Sequence, residues 1–113
     1  SIVLLNFWAT WCGWCRLETP GLIAACERYR ERDFVVLAVN VGETREKVTA
    51  FADEYEVTFP VLLDPDLRAS RTYGARRIPL SYIVDREGVV RHVLPGAASE
   101  DAIKRLLEPL LEA

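Results

Sequence analysis

The sequence predicts an α/β domain built on a central mixed β-sheet flanked by helices, and three observations carry that prediction. A strand–helix–strand pattern fills residues 2–41, two short strand-like runs lie either side of residues 85–88, and an amphipathic segment follows from Ser99 to the end of the chain. The first pattern is a βαβ unit, whose strands pair in parallel. The second ends its link in glycine and reads as an antiparallel hairpin. At 113 residues, half of them hydrophobic, the chain holds one core rather than two, so residues 1–113 read as a single domain.

Taken in order, Ile2 to Trp8 is apolar and β-branched at its start, the composition of a central strand buried on both faces. Residues 13–31 switch to helical period, with Leu22, Cys26 and Tyr29 on one face and Glu27, Arg28, Arg30, Glu31 and Arg32 outward. Pro20 is expected to kink or break that helix. Phe34 to Val41 is the second strand, ended by Gly42. Thr44 caps a helix that turns Val48, Phe51, Ala52 and Tyr55 inward, with Glu46 in its first turn. A short strand is expected over Phe59 to Leu63. Asp64-Pro65-Asp66 is turn chemistry, leading into a short helix that Gly74 closes. Ser81 to Val84 and Val89 to Leu94 form the hairpin around Asp85-Arg86-Glu87-Gly88. Ser99 caps the last helix, whose stripe is Ile103, Leu106, Leu107, Leu110 and Leu111, and Pro109 predicts a break or bend near Arg105 to Glu108.

Fourteen basic and seventeen acidic side chains leave a net charge of −3, and no basic stripe runs with interleaved aromatics. No nucleic-acid partner is expected. The longest apolar run, Ile2 to Leu5, falls far short of the roughly 20 residues of a spanning helix, and no signal-type segment is present. The chain has no Met and opens directly on a strand-like run, the expectation for a soluble piece trimmed from a longer, anchored or exported chain. Three cysteines close at most one internal disulfide, so no disulfide-stapled scaffold is possible.

The chemistry concentrates at Cys12 and Cys15. Two cysteines three apart, where a buried strand gives way to a helix, can close a tight disulfide and place the first sulfur at the helix N-terminus. There the dipole and free N–H groups favour the attacking thiolate. Cys12 is the expected nucleophile. Cys15, one turn in and less exposed, is the expected resolving cysteine. A zinc site needs two further ligands, and the candidates are a helix-buried Cys26 and a distant His92, so no metal is expected. Haem attachment requires His where Arg16 stands. A purely structural disulfide gains little from closing so short a loop. A dithiol can also hold copper(I), which leaves a non-enzymatic metal-handling module as a competing reading. Peroxide reduction fits less well with a paired cysteine. Cys26 reads as inert packing.

Asn6-Phe7-Trp8-Ala9-Thr10-Trp11-Cys12-Gly13-Trp14-Cys15, followed by Glu18 and Pro20, resembles the TlpA/ResA-like branch of the thioredoxin superfamily. That branch holds membrane-tethered, extracytoplasmic thiol–disulfide reductases, some serving cytochrome c maturation. The resemblance spans nearly the whole chain, because residues 42–73, Ile78-Pro79, Ile83-Val84-Asp85 and Gly88 fall in family order. It implies a thioredoxin fold with a helix–strand insert between the βαβ half and the ββα half. It also implies a dithiol–disulfide cycle with no cofactor beyond the Cys12–Cys15 disulfide, a disulfide-containing protein substrate, a membrane thiol donor and an extracytoplasmic location. A monomer is expected.

Within the resemblance, Pro79 matches a cis-proline beside the disulfide, and Ile78 supplies a backbone edge for an extended substrate. Glu18, three residues after Cys15, can turn its carboxylate back toward the pair and shuttle the Cys15 proton. Asn6 occupies the place of an aspartate that many thioredoxins use and cannot titrate. Trp8 and Trp11 match aromatic residues beside the motif, though core packing explains Trp8 equally well. Trp14 departs from the proline common at that place; it either contacts substrate or stacks on the surface. Leu80 and Ser81 depart from the threonines often found there. With Gly13, the residues Trp11, Trp14, Ile78 and Pro79 complete the candidate substrate-binding set. Arg16, Arg76 and Arg77 read as solvated surface arginines. Reduction is the direction the resemblance implies, while oxidation or isomerisation would follow from a higher potential.

Overall fold

The computed structural model describes residues 1–113. In chain order the elements are β1 (Ile2–Trp8), α1 (Gly13–Arg28), β2 (Phe34–Val41), α2 (Arg45–Glu54), β3 (Val61–Asp64), α3 (Arg68–Thr72), β4 (Leu80–Val84), β5 (Val90–Pro95) and α4 (Glu100–Glu112). The five strands form one sheet in the order β3-β2-β1-β4-β5. β1 pairs in parallel with β2 and antiparallel with β4, so the predicted central strand lies at the middle of a mixed sheet. β3 adds in parallel to β2, and β5 antiparallel to β4. Ile2, Leu4 and Phe7 are fully buried, as expected of a strand covered on both faces.

Both helix caps read from the sequence are present. Thr44 Oγ1 accepts from Lys47 N at 3.3 Å and Ser99 Oγ from Ala102 N at 3.1 Å, satisfying donors that the first turn leaves free. Helices α1 and α4 meet through Tyr29, whose hydroxyl donates to Glu108 at 2.8 Å.

Several boundaries differ from expectation. Helix α1 runs unbroken through Pro20 and α4 through Pro109. Both prolines are exposed, so the carbonyl each one orphans is on the wet side of its helix, while buried neighbours on the other side hold the backbone in place. Helix α1 ends at Arg28 rather than residue 31. β3 starts at Val61, not Phe59, because Pro60 has no N–H to give the ladder; its carbonyl accepts from Ala38 N at 3.1 Å. β5 starts at Val90, because Asp85 Oδ1 draws the amides of Glu87 and Val89 into the turn at 2.9 and 3.0 Å. Gly88, at φ +81°, provides the left-handed residue that the link requires.

Candidate active site

Strand β1 ends at Trp8, and Ala9-Thr10-Trp11 carries the chain to Cys12, the N-cap of α1. Cys12 has extended backbone, and its Sγ accepts from Cys15 N at 3.2 Å, the role a serine or aspartate oxygen usually plays. The two cysteines are disulfide-bonded, with Cα atoms 5.2 Å apart. Cys12 is 6% exposed and Cys15 1%. Cys12 Sγ thus lies at the N-terminus of α1, where free amides and the helix dipole favour a thiolate over a thiol.

The Ile78–Pro79 peptide bond is cis, and the Ile78 carbonyl oxygen lies 3.8 Å from Cys12 Sγ. Pro79 is buried and Ile78 half-buried. The loop before β4 thus closes over one side of the pair. Flanking the cysteines along the chain, Trp11 and Trp14 stand about two-thirds exposed, as does Leu17. Trp14, Leu17, Gly13 and Tyr55 line a shallow groove there. A Cβ on Gly13 would meet nothing within 4 Å, so space in front of the motif is open. Of the two readings left for Trp8, the core one holds: its ring packs on Phe51 with centroids 4.7 Å apart.

Behind the pair, Cys15, Glu18, Thr19, Leu22 and Ala25 form the buried face of α1. Glu18 is 4% exposed. Its Oε1 accepts from Asn6 Nδ2 at 2.7 Å and its Oε2 from Ala98 N at 2.8 Å. Burial pushes its carboxyl up to about 7, against the pull of the two hydrogen bonds. Asn6 also donates to Ser81 Oγ at 2.9 Å. Neither Glu18 oxygen is hydrogen-bonded to a sulfur; the residue reaches the pair by sharing its helix face. Reading the sequence identified Glu18 and missed its partners. An asparagine inside the apolar run of β1 was the available signal, since a buried amide must find partners. That these are residues 18 and 81 is invisible along the chain.

Arg16 is exposed, as expected, and its Nη1 also donates to Thr10 O at 3.2 Å, a surface bond between the motif and the loop before it. Arg76 and Arg77 are exposed, as expected. Cys26 is a free thiol, half-buried against the core rather than fully inside it. Burial raises it to about 11, which keeps it protonated at neutral pH.

A cysteine pair at the N-cap of a helix, leading out of the central strand of a mixed sheet and flanked by a cis-proline loop, defines a thioredoxin-fold protein with a redox-competent disulfide. More narrowly, the chain belongs to the AhpC/TSA family, whose model matches residues 1–93. It is 34% identical over 108 residues to the thiol-disulfide oxidoreductase ResA of Geobacillus thermodenitrificans (strain NG80-2), covering 96% of this chain and 62% of that protein. It is 36% identical over 101 residues to ResA of Bacillus subtilis (strain 168), covering 89% and 56%. The chain therefore spans about three-fifths of the length of these relatives. Among solved structures, a thiol:disulfide interchange protein of the thioredoxin family from Chlorobium tepidum TLS superposes with a TM-score of 0.87 at 29% identity, covering 98% of this chain and 80% of that one. The ResA-like resemblance read from the motif is thereby upheld.

Proposed function

We propose that this chain is a thiol–disulfide oxidoreductase that reduces disulfides in protein substrates. The observation that carries the reading is the N-cap position of Cys12, whose sulfur already accepts the Cys15 amide at 3.2 Å. In the dithiol form the Cys12 thiolate attacks a substrate disulfide. One substrate sulfur leaves as thiolate and the other stays bound to Cys12. Cys15, deprotonated, then attacks Cys12 Sγ, forming the Cys12–Cys15 bond and expelling the second substrate thiolate. Two electrons pass from the pair to the substrate.

Glu18 is the proton acceptor for Cys15 in this reading. A carboxyl held at about 7 is part ionised near neutrality, so it can take a thiol proton and return it. Gly13, Trp11 and Trp14 border the approach to Cys12, and Ile78-Pro79 offers the backbone edge along which an extended substrate lies. Re-reduction by a membrane thiol donor, an extracytoplasmic location, a monomeric state and a part in cytochrome c maturation belong to the same reading, supported by the likeness to ResA. No helix is long and apolar enough to cross a membrane.

The test is Cys15→Ser. This variant attacks but cannot resolve, so it accumulates protein mixed disulfides on Cys12 that dithiothreitol releases. A variant that captures nothing, beside a parent that leaves a model protein disulfide intact, overturns the proposal.

A further inference from the structure

We infer that Glu43 is a positioning residue for the cysteine pair, acting through Thr10 to hold the segment that carries Cys12 in the geometry the disulfide requires. This rests on the dithiol–disulfide cycle proposed above and assigns a role to a residue outside the motif.

Every backbone and side-chain polar group of Thr10 is engaged. Thr10 N donates to Glu43 Oε1 at 2.7 Å and Thr10 Oγ1 to Glu43 Oε2 at 2.6 Å, while Thr10 O accepts from Arg16 Nη1 at 3.2 Å. Glu43 is itself fixed at both ends. Its Oε1 also accepts from Asn40 Nδ2 at 2.8 Å, and its amide donates to Asn40 Oδ1 at 3.1 Å. Asn40 is fully buried near the end of β2, in register with Trp8 of β1. A continuous set of hydrogen bonds therefore runs from β2 through Asn40 and Glu43 to Thr10, two residues before the nucleophile. Both bonds from Thr10 to Glu43 are short, at the close end of the hydrogen-bond range. Burial raises the Glu43 carboxyl, but the bonds from Thr10 and Asn40 outweigh it and leave the group below its ordinary value, so the carboxylate persists at neutral pH.

The consequence follows from entropy. Closing the Cys12–Cys15 bond requires both sulfurs to be held in one arrangement, and a loose residue 10–12 segment must be ordered each time that happens. A segment already ordered in the dithiol form removes that cost, which favours the disulfide and speeds the attack of Cys15 on Cys12 Sγ in a mixed disulfide. In that step the new S–S bond forms within the pair, the substrate sulfur leaves as thiolate and takes up a proton from solvent. The clamp thus makes the dithiol a stronger reductant without touching either sulfur.

The experiment compares Glu43→Ala and Glu43→Gln in the full chain. Glutamine keeps an oxygen for Thr10 N and Asn40 Nδ2, and its amide donates to the Thr10 hydroxyl, which turns from donor to acceptor, so all three contacts are kept while the charge is lost. Equilibration with glutathione reads the potential, and quench-flow on the preformed Cys12–glutathione mixed disulfide reads resolution. We expect Glu43→Ala to shift the equilibrium about tenfold toward the dithiol, ~30 mV, with resolution slowed by a similar factor, while Glu43→Gln stays within about twofold of the parent. Should Glu43→Ala not fold, Thr10→Val, which deletes only the hydroxyl bond, is expected to shift the equilibrium the same way by about threefold. Glu43→Ala matching the parent in both measurements overturns the clamp. So does Glu43→Gln shifting as far as Glu43→Ala, since the effect would then be charge. The glutathione equilibrium needs only the cysteine pair, so it reports on the clamp even if the parent reduced no protein disulfide.

Discussion

Beside Cys12 three large apolar side chains stand exposed, whereas behind Cys15 a cluster of polar side chains is buried. Trp11, Trp14 and Leu17 stand in solvent beside the first sulfur. Glu18, Asn6 and Ser81 are almost wholly enclosed behind the second and bonded to one another or to the Ala98 amide. One disulfide thus separates an exposed apolar surface from an enclosed, hydrogen-bonded polar cluster. Exposed apolar side chains cost the folded state little and gain on contact, whereas a buried carboxyl is tolerable only when neutral or well bonded. Chemistry that needs both is placed where the two regions meet, at the strand-to-helix corner.

The strongest break in that contrast is Glu18→Gln, which keeps the shape and removes the proton site. Resolution by Cys15 is expected to slow about 10²-fold near neutral pH, measured as the decay of a mixed disulfide. Stability supplies a second readout. Folded Glu18 titrates at about 7 against 4.5 for the ordinary carboxyl, so between those values the unfolded chain is ionised while the folded one holds its proton. Stability is fully present below about pH 4.5 and falls by ~3 kcal/mol as pH rises through 7. Denaturant titrations of the oxidised protein across that range should show the slope, and Glu18→Gln should flatten it.

Next in size is Asn6→Ala. It strips a donor from Glu18 and a partner from Ser81, both enclosed, at a cost of about 1–3 kcal/mol in unfolding free energy. Because the Asn6 bond holds the Glu18 carboxyl down, the variant should also move that titration above 7, read from the carboxyl carbon shift in NMR. A normal Glu18 titration in Asn6→Ala would show the interior cluster to be uncoupled.

The mildest change belongs on the exposed side. Trp14→Ala should leave unfolding free energy within about 0.5 kcal/mol of the parent, since the ring packs on no core. Turnover of a protein disulfide should nevertheless drop about tenfold more than turnover of a small-molecule disulfide, because only the polypeptide reaches the ring. Equal losses on both substrates would remove Trp14 from substrate contact.

Which of these features the sequence made legible follows the distance between the residues involved. The Cys12-x-x-Cys15 spacing, the N-caps at Thr44 and Ser99 and the hairpin around Gly88 are local, and local backbone chemistry writes them within a few residues. Glu18 was found by helix spacing from Cys15. The prolines misled for a reason of the same kind: Pro20 and Pro109 read as helix breakers in isolation, but tertiary packing of the opposite face outweighs one lost hydrogen bond.

The sequence by itself determined the order of elements, the central place of β1 and the cysteine chemistry, because periodicity, capping and motif spacing are short-range. Only the tertiary structure decided what surrounds the pair: that Asn6 and Ala98 hold Glu18, and that Glu43 accepts from both Asn40 and Thr10. Those contacts join residues up to 80 positions apart. A buried polar group announces in sequence that it needs a partner, but chain folding alone chooses which one.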